Sequence, residues 1–256
     1  MSSGGLELLT IKIKQMTIES TNDNTPTTPA ITYSECYRLP FLSLFHADCM
    51  EIMQQYPDKY FDLAIVDPPY GIGAENHAGN AENGWKQWDK KDWDSSIPNE
   101  EYFTELFRVS KNQIIWGGNY FANLLPNSQG WIFWDKGQRN FSLADGELCW
   151  TSFKKSLRVF EMARAKAKAS IGYEKIHPTQ KPVELYDFCL KFAKLEQGNL
   201  ILDTHLGSGS IALAVDKANR LDKMNLHLTA CEIDKENIDK AIKRISESIK
   251  QGTLSF

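Results

Sequence analysis

A tetrapeptide in the first third of the chain carries the residues best suited to chemistry. Asp67-Pro68-Pro69-Tyr70 directly follows the apolar run Phe61–Val66. Two consecutive prolines fix the backbone and remove two N–H donors, so the Pro68 carbonyl can be held beside the Asp67 carboxylate. Two such acceptors can grip an aromatic amino group and favour the pyramidal nitrogen that forms as it attacks a methyl group. Tyr70 can stack on the base that carries the amine. The competing interpretation is a simple turn at a strand end.

A glycine-rich turn near the carboxyl terminus is the second candidate. Gly207-Ser208-Gly209 follows the apolar run Leu200–Asp203, and Glu232 ends the next apolar run. A glycine-rich turn lets the backbone approach a ligand at the carboxyl edge of a sheet, where the two oxygens of a carboxylate can hold two ribose hydroxyls. The third glycine of the dinucleotide fingerprint is absent, which favours a nucleoside without phosphates. A plain tight turn between strand and helix is the alternative.

A basic region separates these two motifs. Between Lys154 and Pro182 there are eight basic and two acidic residues, although the whole chain has a net charge of −4. Such a region can neutralise phosphates, which supply most of the sequence-independent affinity for DNA. A solvated helix face is the alternative. The predicted phosphate contacts are Lys154, Lys155, Arg158, Arg164, Lys166 and Lys168.

The elements that must position these motifs alternate between strand and helix. The predicted strands are Phe41–Phe45, Phe61–Val66, Gln113–Trp116, Trp131–Trp134, Glu147–Thr151, Leu200–Asp203 and Leu226–Glu232. The predicted helices are Cys49–Tyr56, Glu100–Ser110, one with Pro182 in its first turn, one opened by the glycine-rich turn, and Lys235–Ile249. This alternation predicts a doubly wound, mostly parallel α/β sheet. The stretch from Ala74 to Pro98 is expected to be a long loop with three tryptophans, Trp85, Trp88 and Trp93. Anchoring of the loop on the core is favoured for them, and closure over an extruded base is the alternative.

Composition excludes several classes of protein. A length of 256 residues allows one large domain or two small ones. Five cysteines without a C-x-x-C pair argue against a disulfide scaffold and a cysteine metal cluster, so no metal site is predicted. The longest apolar runs fall far short of the roughly 18 residues that a membrane helix needs, and the amino terminus lacks the pattern of a signal peptide. We therefore expect a cytoplasmic protein without a membrane partner.

Three motifs, in this chain order, resemble those of a known family. The tetrapeptide Asp67–Tyr70, the run His177–Pro182 and the turn Leu206–Gly209 are similar to motifs of S-adenosylmethionine-dependent amino-group DNA methyltransferases of the permuted β class. The likeness extends from about Phe41 to Ile249. It implies a class I methyltransferase-like Rossmann fold with a basic recognition insertion. It also implies S-adenosylmethionine as the cofactor and double-stranded DNA as the partner.

The resemblance assigns roles to individual residues. It makes Asp67, Pro68, Pro69 and Tyr70 catalytic. The implied cofactor-binding residues are Asp48, Lys181, Asp203, His205, Gly207, Ser208, Gly209 and Glu232. Within that set, Asp48 is expected near the cofactor adenine, Glu232 on the ribose hydroxyls and Lys181 beside the methionine end. His205 stands where members of this class commonly have phenylalanine, and packing like an aromatic ring is favoured over an acid/base role.

The polar, Pro- and Thr-rich sequence near the amino terminus predicts a flexible lead-in (1–32). The resemblance implies that a methyltransferase domain (33–256) with a target-recognition insertion (137–176) follows it, and it also implies a reaction. The implied reaction is methyl transfer to N6 of an adenine flipped out of the duplex, since a stacked base is inaccessible. Cytosine N4 is the nearest alternative, RNA bases and protein glutamine amides are more distant, and a catalytically silent DNA-binding module belongs to another class. A bacterial or phage-encoded protein is expected, with a homodimer and a restriction endonuclease partner left open.

Overall fold

A computed structural model describes residues 35–73, 94–140, 144–163, 176–177 and 179–253. The strands are β1 (Tyr37–Leu39), β2 (Leu42–His46), β3 (Phe61–Val66), β4 (Ser110–Trp116), β5 (Trp131–Asp135), β6 (Gly146–Thr151), β7 (Arg158–Glu161), β8 (Leu200–Asp203) and β9 (His227–Glu232). The helices are α1 (Cys49–Met53), α2 (Glu100–Val109), α3 (Val183–Ala193), α4 (Ser210–Asp222) and α5 (Lys235–Thr253).

All nine of these strands form one sheet in the order β1-β2-β9-β8-β3-β4-β6-β5-β7. Within this order, the five strands from β2 to β4 are all parallel to one another. Strand β6 is antiparallel to both β4 and β5, β7 is parallel to β5, and β1 is antiparallel to β2. The predicted mostly parallel α/β sheet is therefore confirmed, with an antiparallel extension on one side.

Strand β3 lies at the centre of the packing. Leu63 and Ile65 belong to one buried cluster, whereas Ala64 and Val66 belong to a second. Because successive side chains of a strand point to opposite faces, both faces of the sheet are covered here. This two-sided burial explains why the strand is a near-continuous apolar run, interrupted at Asp62.

The chain changes its direction of winding between β3 and β8. From β3 it passes through α2 to β4 on one side, and from β8 through α4 to β9 on the other. Open α/β sheets bind ligands outside the carboxyl ends of the strands at such a point. The tetrapeptide follows β3 and the glycine-rich turn follows β8, so both sequence motifs lie at this position.

The structure corrects three details of the predicted elements. Helix α3 begins at Val183, and Pro182 is its N-cap in extended geometry (φ −68°, ψ 150°) rather than a residue of its first turn. The short strands β1 and β7 were not predicted. Strand β7 is exposed apart from Phe160, so it lacks the apolar alternation that marks a half-buried strand. The lead-in 1–32 and Trp85, Trp88 and Trp93 lie outside the described residues.

The described residues lack the features of a membrane helix and of a metal cluster. None of the helices within them combines the length and apolar character needed to cross a membrane. The same residues contain no group of three or more His, Cys, Asp and Glu side chains that could hold a metal ion.

Candidate active site

Carboxylates follow one another along the carboxyl edge of the parallel strands. Asp48 lies just beyond β2, Glu232 ends β9, Asp203 ends β8 and Asp67 follows β3. These four strands are consecutive in the sheet. Residues separated by more than 180 positions in sequence therefore occupy neighbouring places on one edge. The sheet brings the tetrapeptide beside the glycine-rich turn because β3 and β8 pair directly.

Both carboxylate oxygens of Asp67 accept hydrogen bonds from other side chains. The Tyr70 hydroxyl donates to Oδ1 at 2.6 Å, and Lys181 Nζ donates to Oδ2 at 2.5 Å. Burial raises the pKa of Asp67, and the Lys181 ammonium opposes that rise. Lys181 itself is only 3% exposed, so this ion pair is shielded from solvent. The resemblance places Lys181 beside the cofactor, whereas its ammonium group contacts Asp67 in this structure.

The tetrapeptide is held in place by main-chain contacts. One oxygen of the buried Asp94 accepts from the backbone N–H of Tyr70 at 2.5 Å and from that of Gly71 at 2.8 Å. Gly117, at φ +73°, leaves room for the Tyr70 ring, because a Cβ there would lie 2.2 Å from a ring carbon. Pro68 is buried directly behind Asp67. The turn is therefore fixed from both sides.

The Tyr70 ring already has an aromatic partner. It stacks on Tyr120, with ring centroids 5.0 Å apart and an angle of 14° between the planes. Phe121 contacts it edge-on at 6.1 Å. Tyr120 is 40% exposed, so a ring at the surface covers Tyr70. A base that stacks on this face of Tyr70 must displace Tyr120.

The Lys181 ammonium lies between two carboxylates. Glu147 Oε2 is 3.3 Å from Lys181 Nζ, and Lys136 Nζ donates to Glu147 Oε1 at 2.6 Å. Burial alone would raise the pKa of Glu147, but the two lysines outweigh it and lower that pKa to about 2. The Trp116 ring also faces Lys181, with its centroid 5.4 Å from Nζ. Four charged groups thus alternate in sign from Lys136 to Asp67.

The glycine-rich turn has the backbone that its sequence demands. Gly207 and Gly209 adopt φ values of +52° and +73°, which disfavour other residues. A Cβ on Gly209 would lie 2.9 Å from Ile245, whereas one on Gly207 would meet no atom closer than 3.9 Å. Buried Arg244 donates to the Ser208 carbonyl at 2.8 Å. The turn is therefore packed from below at Gly209 and open at Gly207.

The same turn is tied to Lys181. The Ser210 hydroxyl, at the start of α4, donates to the backbone carbonyl of Lys181 at 2.7 Å and accepts from Arg244 at 2.9 Å. The Ser208 hydroxyl lies 3.2 Å from that of Ser210. These contacts connect the loop that carries Lys181 to the glycine-rich turn.

Glu232 accepts from the backbone with both of its oxygens. Oε2 accepts from the Gly207 N–H at 2.9 Å, and Oε1 accepts from the Asp234 N–H at 3.0 Å. A carboxylate has about four lone-pair sites, so each oxygen retains the capacity for a second donor. Burial raises the pKa of Glu232, and the backbone bonds oppose that rise. The carboxylate is thereby oriented next to Gly207.

Asp203 and Asp48 have simpler surroundings. Asp203 is 2% exposed and accepts from the His205 N–H at 3.0 Å. Burial raises its pKa to about 8. Asp48 accepts from the Met50 N–H at 2.7 Å and so caps helix α1. Its side chain therefore has a structural role at the predicted adenine end of the site.

His205 packs as a neutral ring. Its Nδ1 lies 2.9 Å from the Thr204 hydroxyl, which in turn lies 2.7 Å from that of Tyr102. The Tyr102 ring contacts it edge-on at 5.6 Å. Burial lowers the pKa of His205 to about 4, so the imidazole is uncharged at neutral pH. These contacts favour the packing role over an acid/base role.

A segment that matches a known protein family includes many residues of this site. Residues 134–243 match the N6/N4 family model described as DNA methylase. This segment is therefore similar to DNA methylases. The matched segment includes Glu147, Lys181, Asp203 and Glu232, whereas Asp67 precedes it.

Relatives of greater coverage are distant in sequence. The type II methyltransferase M.ScaI of Streptomyces caespitosus is 21% identical over 262 residues, which cover 82% of this chain and 83% of the relative. The solved PvuII DNA methyltransferase, named as cytosine-N4-specific, has 14% identity and a TM-score of 0.50 over 84% of this chain and 88% of its own. The M1.HpyAVI–SAM complex has 18% identity and a TM-score of 0.50 over 80% of this chain and 99% of its own. These structural likenesses confirm the Rossmann-like α/β fold.

Three predicted phosphate contacts lie away from the edge that carries the tetrapeptide and the glycine-rich turn. Because β6 runs antiparallel to β4, Lys154 and Lys155 follow it at the opposite edge of the sheet, and Arg158 begins β7 there. Lys155 also donates to the backbone carbonyl of Phe192 near the end of α3. Its ammonium lies over the rings of Phe153 and Phe192. The other predicted contacts, Arg164, Lys166 and Lys168, lie outside the described residues.

Sequence reasoning missed four side chains of this site. They are Asp94, Tyr120, Lys136 and Glu147. Glu147 opens a predicted strand, so its only visible signal was a carboxylate at a strand end. The antiparallel direction of β6 places that strand start at the catalytic edge.

Proposed function

We propose that this protein transfers a methyl group from S-adenosylmethionine to the N6 amino group of adenine in double-stranded DNA. The observation that carries the proposal is the juxtaposition of Asp67 and Tyr70 with the glycine-rich turn and Glu232 at the switch point of the sheet. The match of residues 134–243 to DNA methylases supports the reaction class. The similarity to a type II methyltransferase over 82% of the chain supports it independently.

The residues around the glycine-rich turn fit the cofactor. The space beside Gly207, which a Cβ would enter without contact closer than 3.9 Å, suits close approach of a ligand to the backbone. Glu232 would hold the ribose hydroxyls with its remaining lone pairs, and Asp203 would face the cationic methionine end. When bound, S-adenosylmethionine supplies an electrophilic methyl group. The name of the neighbouring M1.HpyAVI–SAM complex supports this cofactor.

Asp67 acts on the target amine in the proposed mechanism. Its Oδ1 exchanges the Tyr70 hydroxyl for an N–H of the amine, while Lys181 keeps the carboxylate ionised from the side of Oδ2. The Pro68 carbonyl is the second proposed acceptor. As the nitrogen attacks, it gains positive charge, and a fixed carboxylate stabilises that charge more than it stabilises the neutral amine. The methylated nitrogen then loses its extra proton to solvent.

The choice between adenine and cytosine rests on two opposing observations. Aspartate at the head of the tetrapeptide favours adenine by analogy with the family. The structural neighbour named as cytosine-N4-specific supports cytosine N4 equally well, because the two exocyclic amines pose the same chemistry. We therefore retain cytosine N4 as the second candidate.

Incubation of the protein with S-adenosylmethionine and unmethylated DNA tests both candidates. The DNA is digested to nucleosides, which are identified by mass spectrometry. We expect N6-methyldeoxyadenosine. N4-methyldeoxycytidine would overturn the adenine assignment, and binding of DNA without any methylated nucleoside would favour the silent binding module. In the same assay Asp67→Ala should form far less methylated nucleoside than the wild type. Asp222→Ala, which removes an exposed carboxylate, is the matched control and should keep the wild-type yield.

Recognition of DNA is assigned to the segment between the motifs. We place the target-recognition insertion at 137–176 within a methyltransferase domain of 33–256, preceded by a lead-in of 1–32. Strand β7 ends with Glu161 at the carboxyl edge, so the chain arrives on the side of Asp67 just before Arg164. This direction favours Arg164, Lys166 and Lys168 as phosphate contacts over the three basic residues at the opposite edge.

A further inference from the structure

Glu147 is a partly buried carboxylate that the proposed mechanism does not use. It lies at the start of β6, 3.3 Å from Lys181 Nζ and 2.6 Å from Lys136 Nζ. Register fixes its location: Glu147 lies opposite Trp134, and two residues later Cys149 lies opposite Trp116, the last residue of β4. The antiparallel extension thus delivers one carboxylate to the edge of the parallel sheet.

The Lys181 ammonium has more than one acceptor within reach. It donates to Asp67 Oδ2 at 2.5 Å, while the Tyr70 hydroxyl and Glu147 Oε2 each lie 3.3 Å away. With only 3% of Lys181 exposed, solvent contributes little to holding its charge. The ammonium must therefore take its position from these protein groups.

We propose that Glu147 is a positioning residue for methyl transfer, acting through Lys181 on Asp67. The inference rests on the proposed function. Glu147 provides a second carboxylate beside the Lys181 ammonium and so fixes the position from which the lysine donates to Asp67 Oδ2. With Oδ2 held by Lys181, Oδ1 is oriented toward the Tyr70 hydroxyl and is the oxygen left for the target amine. Lys136 holds the far oxygen of Glu147 and so fixes its direction.

Several titratable groups face Asp67 and interact with it electrostatically. They are Tyr70 on its own turn, Glu147 and Cys149 on β6, Lys181 before α3, Tyr186 on α3 and Asp203 at the end of β8. Glu147 raises the pKa of Asp67 by its charge, whereas Lys181 lowers it. Removing one or the other should therefore move the pKa of Asp67 in opposite directions.

The test is the pH dependence of single-turnover methyl transfer. Glu147→Gln should lower the rate roughly tenfold to a hundredfold at neutral pH because Asp67 is misplaced. It should also move the acid limb of the profile to lower pH by about one unit. Lys181→Met should move that limb to higher pH. Affinities for S-adenosylmethionine and DNA, measured separately, should stay within about twofold of the wild type for Glu147→Gln, and Glu147→Asp should restore part of the rate.

Glu196→Gln is the matched control, since Glu196 is an exposed carboxylate between α3 and β8. A wild-type rate and acid limb in Glu147→Gln would overturn the inference. If that variant does not fold, Lys136→Gln takes its place: the acid limb should move to higher pH, and an unmoved limb would overturn the inference equally. Absence of methyl transfer by the wild type would instead overturn the proposed function, so the two failures are distinguishable.

Discussion

Asp67 and Asp203 stand at the ends of adjacent strands, but their surroundings differ. Asp67 is paired with a lysine and with a tyrosine hydroxyl, whereas Asp203 accepts only from the His205 N–H among its described hydrogen bonds. Burial raises the pKa of both carboxyls, and that of Asp203 reaches about 8. The protein itself supplies the cation for Asp67. For Asp203, the proposed cofactor would supply it.

This difference distinguishes the two turns of the site. The turn after β3 is made rigid by prolines and presents side chains whose charges are already compensated. The turn after β8 is made of glycines and presents backbone beside carboxylates. The first suits a neutral amine, and the second suits a cationic ligand.

Removing Lys181 would make Asp67 resemble Asp203 and is expected to have the largest effect on stability. Lys181→Met leaves two partly buried carboxylates without their shared cation, a change typically worth about 3–5 kcal/mol. Lys217→Met is the matched control, because Lys217 forms a surface ion pair with Asp187 and should contribute less than about 1 kcal/mol. Urea unfolding at pH 7 measures both. Equal losses in the two variants would contradict the comparison.

Removing Glu232 tests the side of the site proposed to hold ribose. Charge-assisted hydrogen bonds are worth about 1.5–3 kcal/mol, so Glu232→Ala should weaken S-adenosylmethionine binding by roughly one to two orders of magnitude. Calorimetric titration measures the affinity, with Glu196→Ala as the exposed control. An affinity equal to that of the wild type would remove Glu232 from the proposed cofactor site.

The protonation state of Asp203 provides a second test of its difference from Asp67. With a pKa of about 8, Asp203 is mostly protonated at pH 7, and a cationic ligand beside it should lower that pKa. Cofactor binding should therefore release up to about one proton, seen as a binding enthalpy that varies with the ionisation enthalpy of the buffer. Asp203→Asn should abolish the release. Release that persists in this variant would assign the proton to another group.

The same pKa predicts a pH dependence of stability in the absence of cofactor. The folded-state pKa of Asp203 lies above its unfolded value of 3.8, so its stabilising contribution is complete below pH 4 and is lost as pH rises through about 8. Asp203→Asn should flatten the fall in unfolding free energy over this window. Urea titrations at several pH values provide the measurement, and an identical slope in both proteins would contradict the assigned pKa.

The smallest expected effect compares two pairs of basic residues in DNA binding. Lys166→Ala with Lys168→Ala should weaken specific and nonspecific DNA binding alike and reduce the salt slope by about 1 per lysine. Lys154→Ala with Lys155→Ala is the matched control at the opposite edge and should leave the slope unchanged. The measurement is log affinity against log salt. A smaller salt slope in Lys154→Ala with Lys155→Ala alone would show that DNA binds these two lysines and not Lys166 and Lys168.

The sequence predicted most of the parallel sheet because its strands are buried on both faces. Near-continuous apolar runs such as Phe61–Val66 and Leu200–Asp203 mark these strands directly, and the motifs follow within a few residues. The parallel arrangement then places the ends of β3 and β8 at one edge. Asp67 and Gly207 could therefore be assigned to neighbouring positions without a structure.

The antiparallel extension could not be predicted in the same way. Whether a strand runs with or against its neighbour depends on tertiary pairing that local periodicity does not contain. Reversal of β6 brings Glu147 to the catalytic edge and carries Lys154 and Lys155 to the opposite one. The antiparallel direction of β6 therefore explains why Glu147 was missed. It also explains why Lys154 and Lys155 lie away from the catalytic edge.

Single-turnover transfer of tritiated methyl groups to unmethylated DNA tests the central claim most directly. Asp67→Ala should lower the rate about 100-fold to 1,000-fold, because it removes the acceptor that the amine needs as it gains charge. Asp67→Asn should be milder, since its amide oxygen can still accept. Affinities for S-adenosylmethionine and DNA, measured separately, should change far less than the rate. Near wild-type transfer by Asp67→Ala would contradict the account, because the tetrapeptide would then be only a turn at the end of β3.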